Sequence, residues 1–468
     1  MAFNSIVFLE FAVVFFLGWR WARKCASIRF AYITGFSFLF YSWANPWYVL
    51  ILIGNGLVAF YSALWMDDHP KTRQWGFYLS LSVSVGILVF FKYLPFLAEN
   101  LTRVLHAAGV NLSLVIPRVP LPVGVSFYTF MSMTYIIDVY RGLFQPTRSV
   151  LHYFAYLSMF PHLVAGPVVR ARDLLPQLLT AGPVPEAKKW EGCVLIARGL
   201  FKKMVLADNL APAVAAAFGA PEPSTSMPFW WVMSSMFAMQ VYCDFSGYTD
   251  IARGLAKWMG YEFAVNFDHP YSAVSIRDFW NRWHISLSSW FRDYIYIPLG
   301  GSKCGPALSH RNMWITMILS GLWHGANWTF VMWGMLHAAY LSIERATHWP
   351  ERVGATRAGR SLCTLIVFVL VTIGWVFFRS SSLGQALSIL GFMFNAQRFD
   401  LRPLAEVGWP ALFFFAMALL IVINTRWGIL PKFSERQSQW LQPAGLAFLV
   451  LCCIYWRGPG TAFIYFQF

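Results

Sequence analysis

A histidine flanked by glycines interrupts an apolar stretch and is the first candidate for chemistry. The segment LSGLWHGANW (319–328) places His324 and Asn327 between two apolar runs. An ionisable side chain at membrane depth is costly unless it has a partner or a function. A neutral imidazole is also well suited to accept a proton near pH 7. We therefore expect His324 to be a proton acceptor, and the alternative is a hydrogen-bonded histidine at a helix-packing site.

A second histidine, His284, belongs to a segment with helical periodicity. In residues 275–294 the apolar side chains recur at helical spacing, and Asn281 and His284 belong to the opposite, polar side. Asp278 and Arg282 form an acid–base pair in the favourable i, i+4 order. The pattern predicts one amphipathic helix at the cytoplasmic membrane interface. It leaves open whether His284 is part of a surface anchor or points into a cleft.

Two carboxylates follow another apolar run, in QVYCDFSGYTDIARG (240–254). Asp244 and Asp250 flank a Phe-Ser-Gly-Tyr sequence, and Arg253 is a basic partner close by in sequence. Buried carboxylates need such a partner. Two interpretations stay open: a structural ion pair at a helix break, or one wall of a polar substrate channel.

Proline and glycine interrupt the segment FPHLVAGPVVRARDLLPQ (160–177). Together these residues break a helix, so the segment is predicted to be re-entrant. It ends in Arg170 and Arg172, which we place in the cytoplasm. These arginines either bind a phosphorylated, anionic ligand or are ordinary basic residues of a cytoplasmic loop.

Metal, disulfide and nucleic-acid chemistry find little support. A metal site built from His284, His324 and His337 lacks a carboxylate or cysteine at supporting spacing. The seven cysteines contain no C-x-x-C and are odd in number. The net charge of +15 lies mostly in short loops between apolar runs, which indicates membrane topology instead of a nucleic-acid partner. We expect no metal and no permanently bound cofactor.

The composition is that of a polytopic membrane protein, since 58% of the residues are hydrophobic and only 12% are charged. Several apolar runs are shorter than the roughly 20 residues of a straight span, so some must be tilted, broken or re-entrant. We predict an all-α bundle of about 10 to 12 spans in a single integral membrane domain over residues 1–468. The runs are 6–19, 30–43, 47–65, 77–96, 123–139, 153–169, 191–218, 229–242, 312–322, 328–343, 362–378, 409–423 and 444–456.

The basic loops predict the orientation in the lipid bilayer. Three loops are basic: RWARK (20–24), DDHPKTR (67–73) and RGLFQPTR (141–148). The turn between the first two, at Asn45–Pro46, carries no charge. The positive-inside rule places these loops in the cytoplasm and both termini outside. The first apolar run has its charges after it, so a cleaved signal peptide is not expected. We predict a multi-pass protein of the bacterial inner membrane with periplasmic termini.

Taken together, these segments resemble the membrane-bound O-acyltransferase (MBOAT) family, within it the branch of bacterial alginate O-acetylation proteins. The resemblance is carried by FPHLVAGPVVR (160–170), the block from DFSGYTD to IPLGG (244–301), SGLWHGANWTFVMWGMLH (320–337) and FIYFQF (463–468). It implies a helical bundle around a central tunnel. His324 matches the family's catalytic histidine, and His284 matches its second signature position.

The resemblance also implies the reaction. Acetyl-CoA would donate an acetyl group on the cytoplasmic side, and a periplasmic acetyltransferase-type protein partner would complete O-acetylation of an exopolysaccharide such as alginate. His324 would deprotonate the acceptor hydroxyl, and His284 or Asn327 would orient the donor or stabilise the developing charge. Tyr465 is a candidate acceptor hydroxyl, unless FIYFQF is an interfacial aromatic belt.

Other functions remain open at this point. Related proteins of the same family suggest peptidoglycan or cellulose O-acetylation, or D-alanyl transfer. A transporter or flippase would use the same polar residues to line a path, but such proteins often contain internal repeats, and we find none. A scaffold for a polysaccharide export complex would tolerate substitution of both histidines.

Overall fold

The computed structural model describes residues 1–117, 119–164, 166–180, 182–427 and 435–464, and these residues form helices and no strand. The all-α prediction is therefore confirmed. The α-helices are α1 (Ile6–Ala22), α2 (Ala26–Ser42), α3 (Pro46–Asp68), α4 (Arg73–Leu88), α5 (Leu94–Ala107), α6 (Val125–Tyr140), α7 (Val150–Leu157), α8 (Phe160–Leu163), α9 (Ala171–Leu179), α10 (Glu186–Leu200), α11 (Asp208–Gly219), α12 (Met227–Met259), α13 (Ile276–Arg282), α14 (Ile285–Phe291), α15 (Pro306–His324), α16 (Trp328–Thr347), α17 (Trp349–Val353), α18 (Arg357–Arg379), α19 (Leu383–Met393), α20 (Arg402–Ala405), α21 (Trp409–Trp427) and α22 (Glu435–Tyr455). Short π-helical segments are Val89–Tyr93, Phe201–Ala207 and Arg292–Tyr296.

Three helical stretches of the described chain are long and apolar enough to cross a membrane: Pro46–Asp68, Arg73–Ala107 and Arg357–Arg379. Shorter apolar helices are Leu383–Met393, Trp409–Asn424 and Leu441–Tyr455. Their composition is that of a multi-pass membrane protein. The count of about 10 to 12 spans stays a prediction.

The chain divides into two compact units, which we call the first and the second unit. The first contains Met1–Cys193 and Ala252–Ala264, and the second contains Val194–Ile251 and Val265–Phe468. Both candidate histidines, His284 and His324, belong to the second unit.

The first unit is held by aromatic packing and by a buried polar network. Phe15 of α1 is fully buried and packs edge-on against Phe160 of α8, with ring centroids 5.0 Å apart. Asn55 of α3 donates to Ser132 of α6 at 2.9 Å and accepts from Ser84 of α4 at 2.9 Å. Such side-chain hydrogen bonds hold membrane helices together, because lipid is as apolar as the helix surface and hydrophobic burial does little to drive helix association there.

The predicted helix break near Pro161 is present. The short helix α8 ends at Leu163, and the next helix, α9, begins at Ala171. The re-entrant character of this segment stays a prediction.

In the second unit, α15 and α16 form a tightly packed antiparallel hairpin. A Cβ atom at Gly321 would overlap the carbonyl oxygen of Phe330, and one at Gly334 would overlap that of Met317. Since the glycines have no side chain, the two backbones approach closely, as small residues allow in membranes. The hairpin fixes the position of His324, the last residue of α15.

The single amphipathic helix predicted over residues 275–294 is wrong. The structure has two helices, α13 and α14, separated by Trp283 and His284, and then a π-helical segment. His284 adopts the left-handed conformation, with φ 43° and ψ 53°. Trp283 and His284 are both only 1% exposed. In a continuous amphipathic helix, the polar face with His284 would be exposed to solvent. The break between α13 and α14 instead buries the side chains of Trp283 and His284.

The helix break predicted near Asp244 is also wrong, because α12 runs without interruption through Met227–Met259. Gly247 lies within it and is not a breaker. A Cβ atom there would lie 2.8 Å from the carbonyl oxygen of Gly199. The glycine therefore serves close helix packing.

Candidate active site

His324 lies at a helix end inside an aromatic enclosure. It is 4% exposed, and α15 ends there because Gly325 continues in an extended conformation. A Cβ atom at Gly325 would overlap the ring of Phe330. The imidazole packs edge-on against Trp333 and Phe378, each with ring centroids 5.1 Å away. The glycine and the aromatic rings together fix where the imidazole lies.

His284 is held in its left-handed conformation by Asn266. A non-glycine residue there costs about 1–2 kcal/mol, so other contacts must stabilise it. The side-chain oxygen of Asn266 accepts from the backbone N–H and the hydroxyl of Ser286, at 3.0 and 2.9 Å. The same oxygen lies 3.3 Å from Nδ1 of His284. Since this oxygen only accepts, Nδ1 carries the proton and Nε2 is the basic nitrogen.

One indole ring contacts both histidines. The ring centroid of Trp323 is 6.1 Å from that of His284 and 5.0 Å from that of His324. Phe245 of α12 packs edge-on against His284 from another side, at 4.6 Å. The structure thus brings the two predicted catalytic histidines into one buried cluster. Their catalytic role stays a prediction.

A cavity of about 690 Å³ lies in the second unit, and neither histidine is among its lining residues. It reaches Ser320, one helical turn before His324, and also Asn281 and Ser288 on either side of His284. Its volume is typical of pockets for small molecules and cofactors. The charged lining residues are Arg277, Arg292, Glu344, Arg345 and Glu351. Arg292 is already paired with Asp293 at 2.7 Å, whereas among the described residues Arg277 and Arg345 have no carboxylate partner and are available to bind an anionic group.

The other predicted site residues have different surroundings. Asn281 lines the cavity, and its assignment to a substrate path stays a prediction. Asn327 caps α16: its side chain accepts from the N–H of Thr329 at 3.1 Å and donates to the carbonyl of Ser381 at 3.2 Å. Arg170 precedes α9 in the first unit and is half-buried. The candidate acceptor Tyr465 lies outside the described residues.

Asp244 belongs to a buried ionic cluster. The Nζ atom of Lys203, which is not exposed, lies 2.8 Å from a carboxylate oxygen of Asp208 and 2.8 Å from one of Asp244. The predicted ion pair of Asp244 with Arg253 is therefore replaced by one with Lys203. Arg253 comes nine residues later on the same helix, and at about 100° per residue its side chain leaves the opposite face.

The same cluster holds a segment near the C-terminus. The hydroxyl of Thr461 donates to Asp208 at 2.6 Å, and its carbonyl accepts from Lys203 at 2.9 Å. The backbone N–H of Ile464 donates to Asp244 at 2.7 Å. Two carboxylates and one ammonium leave one excess negative charge, and these N–H and O–H donors offset it. The segment therefore completes the cluster.

We call residues 458–464 the strap. A Cβ atom at Gly458 would lie 2.5 Å from the backbone of α11, so the strap lies flush against that helix. Phe463 is 1% exposed, and its ring centroid is 5.5 Å from that of Phe245. Because Phe245 contacts His284, the strap forms the outer layer of the histidine pocket.

Sequence reasoning missed several of these residues. Lys203 is an ionisable group inside a predicted apolar run, which is the signal that pointed to His324 and that applied here as well. Asn266 and Trp323 carry no such signal, because a lone asparagine or tryptophan has no distinctive pattern. Only their positions beside the histidines make them part of the site.

The helical membrane fold and the paired histidines define a class of protein. A family model described as MBOAT, membrane-bound O-acyltransferase family, matches residues 123–383. This range contains both histidines and every residue named at the cavity. The chain belongs to the membrane-bound O-acyltransferase family and is an O-acyltransferase.

Curated relatives narrow the class. The chain is 37% identical to the probable alginate O-acetylase AlgI of Azotobacter vinelandii, over 92% of this chain and 85% of the relative. It is 36% identical to the protein of the same name from Pseudomonas aeruginosa, over 92% and 82%. It is 33% identical to the peptidoglycan O-acetyltransferase of Helicobacter pylori, over 79% and 74%. These likenesses confirm the predicted branch and support a membrane O-acetyltransferase.

Proposed function

We propose that this enzyme takes acetyl groups from cytoplasmic acetyl-CoA and passes them across the bacterial inner membrane. A periplasmic protein partner then O-acetylates an alginate-like exopolysaccharide. The observation that carries the proposal is the cavity that reaches Ser320, one helical turn before the buried His324. A thioester held at that end is close to a proton acceptor. The names of the relatives support acetyl as the group and a polysaccharide as the destination.

The guanidinium groups of Arg277 and Arg345 suit a donor that carries phosphates. Guanidinium groups bind phosphate in a bidentate manner. One of the lining carboxylates is already engaged, since Glu344 accepts from the backbone N–H groups of Ile276 and Arg277 at 2.6 and 3.2 Å. We expect the donor phosphates at the charged end and the thioester near Ser320.

The proposed chemistry is acyl transfer from sulfur to oxygen. Nε2 or Nδ1 of His324 accepts the proton of the acceptor hydroxyl as its oxygen attacks the thioester carbonyl. The new C–O bond forms, the C–S bond breaks, and the imidazolium returns the proton to the departing thiolate. His284, fixed by Asn266 with its proton on Nδ1, accepts a hydrogen bond at Nε2 and so orients the donor.

The proposed topology follows from the loops. The positive-inside rule, applied to the basic lining residues Arg277 and Arg292, puts the cavity on the cytoplasmic side, where acetyl-CoA is. Both termini then lie in the periplasm. In this arrangement, a tunnel past His324 lets the acetyl group cross while the thioester donor stays inside.

Release of CoA from acetyl-CoA by purified protein, in the presence of the periplasmic partner, tests the catalytic role. We expect His324→Ala to lower the rate by about 10²–10⁴-fold, as for loss of a general base. His106→Ala, at an exposed histidine of the first unit, is the matched control and should leave the rate unchanged. Release at the normal rate from His324→Ala would refute the proposal.

Isotope-labelled acetyl-CoA identifies the acceptors. Label in the exopolysaccharide of intact cells supports the alginate-like destination, and label in peptidoglycan alone supports the second candidate that the Helicobacter pylori relative suggests. Mass spectrometry of the C-terminal peptide tests Tyr465. Label on it supports a covalent relay, and an unlabelled peptide under turnover removes that role.

A further inference from the structure

A small cavity in the first unit is lined by cations. It has a volume of about 120 Å³, and its basic lining residues are Arg23, Arg29 and Lys188. They come from the loop after α1, the first turn of α2 and the start of α10. The space corresponds to roughly four water molecules at about 30 Å³ each, so a phosphate-sized group fits.

Arg29 is buried with part of its hydrogen-bonding capacity unused. It is 2% exposed, and its two terminal nitrogens donate to the carbonyls of Arg23 and Leu179, at 2.8 and 3.1 Å. These carbonyls lie at the ends of α1 and α9, where the helix dipoles offset part of the charge. Among the described residues, Nε has no acceptor and the guanidinium has no carboxylate partner. A buried donor without an acceptor costs about 1–3 kcal/mol.

A second buried donor lines the same cavity. Trp19 is 3% exposed, and within the described chain its indole N–H has no acceptor. An indole nitrogen and a guanidinium can only donate. The two groups therefore select a ligand that accepts hydrogen bonds, and the surrounding cations select one with negative charge.

The nearest acidic group does not neutralise the cavity. Lys188 pairs with Glu262 at 3.1 Å and donates to the carbonyl of Gly260 at 3.0 Å. Glu262 also pairs with Lys257 at 2.9 Å, and Lys257 pairs with Glu191 at 2.8 Å, so these two lysines are balanced by two carboxylates and the excess charge comes from the arginines. Among the described residues, Arg23 has no carboxylate partner. The lining as a whole keeps an excess of positive charge.

Exposed apolar side chains occur close in sequence to the lining residues. Trp21, Ile28 and Leu179 are 66%, 56% and 59% exposed, and each is a close sequence neighbour of a lining residue. In a membrane protein such side chains face acyl chains. A basic cavity in segments that also carry exposed apolar residues has the character of a lipid headgroup site on the basic, cytoplasmic side of the bilayer.

We propose that this cavity binds a phosphate group, with Trp19, Arg23 and Arg29 as its donors. An anionic phospholipid headgroup and a soluble phosphate share this chemistry. The site is separate from acyl transfer and does not depend on the proposed function. Its occupation ties the end of α1 to the start of α2 by satisfying the buried donors of Trp19 and Arg29.

Thermal stability of the full-length protein in detergent tests the site and identifies the source of the phosphate. One series adds phosphatidylglycerol, a second adds phosphatidylcholine, and a third adds inorganic phosphate. Stabilisation by phosphatidylglycerol alone assigns a lipid headgroup, and stabilisation by inorganic phosphate assigns a soluble ligand. No stabilisation by either anionic compound would overturn the proposal.

Three variants locate the effect. Trp19→Phe removes one donor and keeps the ring, and Arg23→Gln removes one charge. Each should raise the ligand concentration for half-maximal stabilisation by roughly 10-fold. Arg20→Gln removes an exposed charge from the same helix and should leave it unchanged. Because neither Trp19 nor Arg23 uses its side chain to cap a helix, both variants should fold. Equal responses from all three variants would refute the site.

Discussion

Replacement of Lys203 by methionine tests whether the buried ionic cluster fastens the strap. Methionine keeps most of the side-chain volume and removes only the ammonium group. Asp208 and Asp244, with side chains 1% and 3% exposed, then lose their common cation. We expect a strongly destabilised protein in which the strap is released from α11.

The magnitude follows from the contacts of Lys203. Its Nζ atom has partners at 2.8, 2.8 and 2.9 Å and no exposure to solvent. Removal of one partner of a buried pair costs about 3–5 kcal/mol. The neighbouring Lys202 pairs with Asp250 at 2.7 Å, but their side chains are 24% and 16% exposed. Lys202→Met should therefore cost clearly less, about 1 kcal/mol.

The assay compares both variants in one detergent. Thermal unfolding reports the difference in stability, and hydrogen exchange reports protection of the amide of Ile464, which donates to Asp244. Lys203→Met should lower the unfolding temperature and remove the protection of the Ile464 amide. Lys202→Met should keep that protection. Addition of Asp244→Asn to Lys203→Met should recover part of the stability, because it removes an uncompensated charge. Equal unfolding temperatures and equal protection in the two lysine variants would refute the reasoning.

Three further predictions concern the pocket, the hairpin and a surface ion cluster. Asn266→Leu removes the acceptor that holds the left-handed turn at His284. The turnover number should therefore fall about 10- to 100-fold, while KM for acetyl-CoA stays nearly constant. A rise in KM alone would contradict this positioning role. Gly321→Ala should separate α15 from α16 and destabilise the protein by about 1–3 kcal/mol, and an unchanged unfolding temperature would show that the hairpin is not tight. Partial burial raises the pKa of Glu262, but hydrogen bonds from Lys257 and Lys188 outweigh it, so the net pKa is lowered. The stability that this shift contributes is present above the unfolded pKa of about 4.3 and is lost as the pH falls through the lower, folded pKa. Glu262→Gln should remove this pH dependence from acid unfolding curves. An unaltered curve would exclude a contribution of Glu262.

Local patterns determined the class of the protein and many of its helices. The apolar run predicted at 6–19 corresponds to α1 (Ile6–Ala22), and the run at 362–378 corresponds to α18 (Arg357–Arg379). His324 was identified in the same way, as an ionisable group between apolar runs. These features depend on residues close in sequence, and composition and periodicity report on such neighbours.

Only the tertiary structure decided the surroundings of the site residues. The turn at His284 depends on Asn266, which lies outside the helical pattern that predicted one continuous helix. Asp244 pairs with Lys203 of another segment, because a partner nine residues along the same helix points away from it. Sequence spacing measures distance along the chain, whereas hydrogen bonds and ion pairs depend on distance in space. The residues able to do chemistry were therefore visible in the sequence, and the contacts that fix them became visible only in the fold.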